Sequence, residues 1–130
     1  MPSYKLYKML HLGAIVLICM TTAGLAFHAW LGGTKESAGG ARKALLALHG
    51  VGMLLAFVGG MGAGAQTGAI SSEHGFQSWV HIKIALWFAL GALPALPYRS
   101  PRLAASLFVV VPLLVAFAAW VAGGFLPLTR

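Results

Sequence analysis

Polar residues fall in a few short clusters along this chain, and long uncharged runs lie between them. Tyr4–Trp30 (YKLYKMLHLGAIVLICMTTAGLAFHAW) opens with Lys5 and Lys8, and no further charge follows until Lys35. About 20 apolar residues of helix cross a hydrocarbon core. A first span is therefore predicted over residues 6–31, with Trp30 at its far end, where amphipathic rings settle. Gly32–Ala41 (GGTKESAGGA) reads as a Gly-rich polar loop. A second span is predicted over 42–65, behind Arg42 and Lys43, followed by a loop over Gln66–Gly75 with Glu73 and His74. A third span over 76–96 stops at Pro97. Tyr98–Arg102 (YRSPR) forms a tight basic turn, and a fourth span covers 103–121, where Pro112 is expected to kink the helix. A short tail ends at Arg130, and no internal repeat is seen.

The predicted fold is all-α: one four-span membrane domain over 1–130, a four-transmembrane-helix bundle with both termini on the same side. We call that side A. It carries Lys5, Lys8 and Arg130, with Lys83 near its surface. Side B carries the loops 32–41 and 97–102, with Lys35, Arg42, Lys43, Arg99 and Arg102. The slight excess of positive residues on side B makes it the cytoplasmic side by the positive-inside rule.

Composition agrees with this pattern. The chain is 59% hydrophobic and 8% charged, with mean hydropathy +0.85. That is too apolar for a soluble domain. Four spans take up nearly all of the 130 residues and leave no room for a soluble catalytic domain. The formal charge of +7 does not imply nucleic acid, because the basic residues flank apolar runs, where they contact anionic head groups of membrane lipid. Lys5 and Lys8 before an apolar run have the outline of a signal peptide, but the segment is expected to be retained as a span. The single cysteine, Cys19, lies mid-span and cannot form an internal disulfide. Ile18 before it is not the small residue a lipoprotein site needs.

Small residues mark where helices pack in a membrane. At about 100° per residue, the first span carries a stripe of Gly13, Ala14, Thr21 and Gly24, continued by His28. The second carries Gly52, Ala56, Gly60 and Ala63, continued by His49. In the third, Ala85, Phe88, Ala92 and Ala95 share a side with His81, which places Trp79, Lys83, Trp87 and Leu90 on the opposite side. His28, His49 and His81 are thus expected to face the bundle. Lys83 is expected to face lipid or another subunit, with its amine reaching the side A surface. His11 lies with Ile15, Ile18 and Leu25 on a bulkier face.

Ionisable groups inside spans are costly and point to function. Helix direction sorts four of the histidines into two layers, His28 with His49 near side B and His11 with His81 near side A. Haem b in a membrane bundle takes two imidazoles from facing helices at one depth. His28 with His49 is the favoured pair, because the small residues beside them leave room for a flat ring. His11 with His81 is the second pair. His11 and His28 are about 100° out of phase, so one haem is expected rather than two. The bland alternative for each histidine is a hydrogen bond to a carbonyl, head group or water, and His74 is expected to be a loop residue. A proton relay through histidine pairs would want membrane carboxylates, whereas Glu36 and Glu73 both lie in loops. Zinc is not expected, because no level supplies four ligands.

The segments YKLYKMLHLGAIVLI and WVHIKIALWFALGAL resemble a loose group of small bacterial membrane proteins. The group comprises the copper-resistance D type, the SirB-like regulators and the J-type protoporphyrinogen oxidases. The resemblance implies haem b binding, with His11 in the ligand position and Trp79 and Lys83 in the later motif. Copper transport is not carried over, since the five methionines are scattered and that chemistry wants Met and Cys clusters.

The expected function is that of a haem b-binding electron-transfer protein or subunit of a bacterial inner membrane, exchanging electrons with a quinone. The alternative is a haem-free accessory subunit packed against other membrane subunits of a larger respiratory or photosynthetic complex. Either is a non-catalytic role.

Overall fold

In the computed structural model, which describes residues 3–123, four helices are each long and apolar enough to cross a membrane. Arg130 of the predicted side A charges lies outside the described residues. Helix α1 (Tyr4–Trp30) spans about 40 Å at 1.5 Å per residue, and its first turn is capped by the Ser3 hydroxyl. Helix α2 (Lys35–Gln66) starts earlier than predicted. Thr34 and Ser37 cap each other's backbone N–H reciprocally, which nucleates a turn inside the expected loop. Gly39 then breaks that turn from the rest of α2 at φ 54°, a conformation that favours glycine.

The next connection is a small hairpin, β1 (Ile70–Ser71) paired antiparallel with β2 (Gly75–Phe76). Helix α3 (Ser78–Ala92) is followed by two 3-10 turns, Leu93–Ala95 and Pro97–Arg99. Pro94 and Pro97 lack the N–H that would continue the α-helical ladder. Helix α4 (Pro101–Ala122) begins behind the Ser100 cap and runs without interruption through Pro112.

Helices α1 and α2 are antiparallel and in close contact. As α1 advances from Tyr7 through His11 and Ile18 to Gly24, its partners in α2 retreat from Gly62 through Gly59 and Gly52 to Leu45. A Cβ at Gly59 would stand 2.7 Å from the His11 nitrogen and 2.9 Å from the Tyr7 carbonyl oxygen. Only glycine lets the two backbones approach this closely. The core between the helices holds Ala14, Ile18, Met53, Ala56, Leu90 and Leu107. Large apolar side chains such as Val16, Met20, Leu54, Phe88 and Leu113 are exposed around it, as lipid-facing positions should be. The start of α1 and the end of α4 meet at one end of the bundle, where Tyr4 and Ala122 border the same cavity.

The faces of α3 are the reverse of the predicted ones. His81, Ala85, Phe88 and Ala92 are exposed, whereas Val80 and Leu90 are buried. The Trp87 indole N–H donates to the Met53 carbonyl oxygen at 2.8 Å. Small residues mark a helix face only where backbones approach closely, as α1 and α2 do. α3 stands further off and fills the gap with large side chains. Lys83 consequently turns towards the bundle and not towards lipid. The bulky face of α1 is also internal, since Ile18 and Leu25 are buried.

Candidate functional site

At the side A end, the helices leave a cavity of about 1030 Å³, at the upper limit of small-molecule pockets, roughly 300–1,000 Å³. Its walls come from all four helices and the hairpin. Ile15, Phe57, Leu86 and Leu90 make it apolar, and its polar groups include His11, Lys83, Gln77, Trp79, Trp87, Thr67 and, at the mouth, Tyr4 and Lys8. Among the described residues no aspartate or glutamate lines it.

His11 is fixed on this wall. Its Nδ1 lies 2.7 Å from the carbonyl oxygen of Ala56, a partner that can only accept. Nδ1 therefore carries the proton, and in the neutral ring Nε2 keeps its lone pair. That nitrogen has no hydrogen-bond partner among the described residues, yet it is not sealed off, because every unpartnered side-chain nitrogen or oxygen there retains accessible surface. An imidazole held through Nδ1–H by a backbone carbonyl, with Nε2 free, is arranged as a metal ligand is. Such a nitrogen could ligate a metal ion, the iron of a haem included.

The other histidines are placed differently. His49 is buried, and its Nε2–H donates to the carbonyl oxygen of Leu90 at 3.2 Å. Its Nδ1 lies 3.0 Å from the hydroxyl of Thr21, which also reaches the Leu17 and Ile18 carbonyls, and 3.5 Å from the hydroxyl of Thr22. Both nitrogens are thus used in joining α1, α2 and α3. The partner on α3 is informative. An α-helical Leu90 carbonyl would accept from the residue four positions on, and that residue is Pro94, which has no N–H. His49 supplies the missing donor.

His28 is hydrogen-bonded through Nδ1 to the Tyr98 hydroxyl at 3.0 Å, and its Nε2 lies 3.4 Å from the Ser37 hydroxyl. The favoured pair, His28 with His49, is not brought together. His49 sits level with Thr21, and His28 is seven residues further along α1, about 10 Å of rise. Counting inward from predicted span ends misplaced this layer, because α2 is longer than its apolar run. The second pair is also apart. His81 lies on the exposed face of α3 with its ring 5.8 Å from that of Phe76, while His11 lines the cavity. His74 is exposed in the hairpin turn.

What the structure does gather is His11, Trp79 and Lys83, the residues singled out by the resemblance, on the walls of one cavity. Gln77 and Trp87 join them and were not picked out as site residues. The Gln77 side-chain oxygen accepts from the Trp79 indole N–H at 2.7 Å, and the Lys83 amine sits 5.9 Å from the centre of the Trp79 ring. The spacing of Trp79, Lys83 and Trp87, four residues apart each time, was the available sign that they share one helix face. Among the described residues no group of three or more histidine, cysteine, aspartate or glutamate side chains is placed to hold a metal ion; His11 is the one imidazole on the cavity wall, which also carries the Met61 thioether. No family model, curated protein or solved structure matches the chain.

Proposed function

We propose that this multi-pass membrane protein binds haem b in the side A cavity, with His11 as the protein's ligand to iron, and serves electron transfer in a bacterial inner membrane. The observation that carries the reading is the state of His11, with Nδ1–H held by the Ala56 carbonyl and Nε2 without a partner beside an apolar cavity of suitable size. Haem b, when bound, supplies one-electron chemistry, with a quinone of the bilayer as exchange partner. The chain's own part is to bind, orient and exclude water. Ala56 fixes the tautomer of His11, and Ile15, Phe57, Leu86 and Leu90 give the site an apolar wall.

Among the described residues no second histidine borders the cavity, so the arrangement proposed is a haem with His11 as its one protein ligand, whereas a His11–Met61 pair would give a low-spin spectrum. The test is purification in mild detergent, haem reconstitution, a reduced-minus-oxidised spectrum and a pyridine haemochrome assay. A stoichiometric Soret band with high-spin, carbon monoxide-reactive ferrous haem is expected. A protein with no Soret band after reconstitution would instead favour a haem-free accessory subunit whose cavity is filled by lipid or a neighbouring subunit.

A further inference from the structure

Lys83 has a setting that helix packing does not explain. It is half-buried on the inward face of α3, in the same cavity as His11. Its amine lies near the Trp79 ring, and it has no carboxylate partner among the described residues. The sequence holds only two acidic residues, Glu36 and Glu73, and neither borders the cavity. An unpaired ammonium at depth is costly. Lys8, exposed at the cavity mouth, adds a second positive charge. The cavity is therefore apolar along its walls, positive at its side A end and, among the described residues, without a negatively charged side chain. That pattern complements an amphipathic ligand with an apolar body and acid groups at one edge.

Resting on the reading of this cavity as a porphyrin site, we propose that Lys83 anchors a carboxylate of the bound ligand, with Lys8 as the outer cation. Porphyrins of the haem b type present two propionates on one edge. With that edge towards side A, the acid groups meet the ammonium groups while the ring lies among Ile15, Phe57 and Leu86. Lys83 is thus a specificity-determining residue, selecting the free acid over uncharged analogues.

The experiment compares haem b, its dimethyl ester and metal-free protoporphyrin, titrated into the full chain in phosphatidylcholine nanodiscs. Binding is read by Soret absorbance and tryptophan quenching, and thermal unfolding controls for folding. The wild-type protein is expected to bind haem on the order of tenfold tighter than the diester, as one charge-assisted hydrogen bond allows. Lys83→Met should bring that ratio to about one, and Lys83→Arg should retain it. Haem binding with the same acid-to-ester ratio in wild type and Lys83→Met overturns the anchor and leaves the His11 reading standing. Haem binding unchanged in His11→Ala, with a Lys83-dependent ratio for protoporphyrin, overturns the His11 reading and leaves the anchor. Failure of the wild-type protein to bind any porphyrin overturns both. Lys83-dependent binding of phosphatidylglycerol with no acid-to-ester preference assigns the amine to lipid head groups and also overturns the anchor.

Discussion

The Nδ1 of His11 donates to the carbonyl oxygen of Ala56 across 2.7 Å, at the level where α1 and α2 run closest. The same few residues set the packing and present the free nitrogen. Gly59 and Gly60 admit the His11 backbone and ring, and Ala56 orients the imidazole. Packing and the orientation of the imidazole are therefore coupled at this point, so changes to either helix should register in both.

If His11 is the haem ligand, His11→Ala should abolish the Soret band of the reconstituted protein, and added imidazole should restore part of it. Loss of the Ala56 hydrogen bond should cost only about 1 kcal/mol, leaving a folded protein in which to read the spectrum. His28→Ala, His49→Ala and His81→Ala should keep the band. Retention of a full spectrum in His11→Ala, with its loss in both His28→Ala and His49→Ala, would restore the pair first expected from sequence.

Gly59→Ala should destabilise the protein by about 1–3 kcal/mol, because the new methyl meets the backbone of His11 and Tyr7, which cannot rotate away. Gly50→Ala meets nothing within 4 Å and should be neutral or slightly stabilising through helix propensity. Unfolding in mixed micelles measures both. Equal midpoints for the two variants would show that α1 and α2 are not in close backbone contact at Gly59.

The four spans were legible in the sequence because length and hydropathy decide them, and the bilayer leaves a helix few alternatives. The inward stripe of α2 was legible for a related reason, since Gly52 and Ala56 sit where α1 leaves no room for more. The face of α3 was not, because small residues indicate contact only for closely packed helices, and Trp87 and Leu90 fill a wider gap. The depth of the histidines was also hidden. The reciprocal cap of Thr34 and Ser37 starts α2 seven residues before its apolar run, and register follows from side-chain fit along the whole helix. His11 was visible through the resemblance and was underweighted by the face pattern, because Ile18 and Leu25 looked bulky enough for lipid but are buried.

An antiparallel succession of four helices puts the turn before α2 and the hairpin after it on opposite sides of the membrane. Lys35→Cys and Ser72→Cys, each in a Cys19→Ser background, should therefore be labelled by an impermeant maleimide from opposite sides of sealed vesicles. Both positions are exposed, so failure to react cannot be attributed to burial. Labelling of both from one side would contradict the topology.

The last prediction concerns His49, whose burial and full hydrogen bonding mark it as structural. Pro94 deprives the Leu90 carbonyl of its helical donor, and the His49 Nε2–H replaces it at 3.2 Å. In a bilayer no water offers a substitute. His49→Ala should thus leave that carbonyl unsatisfied, at a cost of about 1–3 kcal/mol, with no effect on haem binding. Pro94→Ala restores a backbone N–H four residues after Leu90, so its effect should depend on His49. In the wild-type background it makes the side-chain donor redundant and should change stability little. In the His49→Ala background it should recover much of the loss. The double-mutant cycle therefore predicts a coupling energy of about 0.6–2 kcal/mol between the two positions, read from unfolding midpoints in micelles. Strict additivity would mean that His49 contributes through packing alone, and that the missing donor at Leu90 is met in another way.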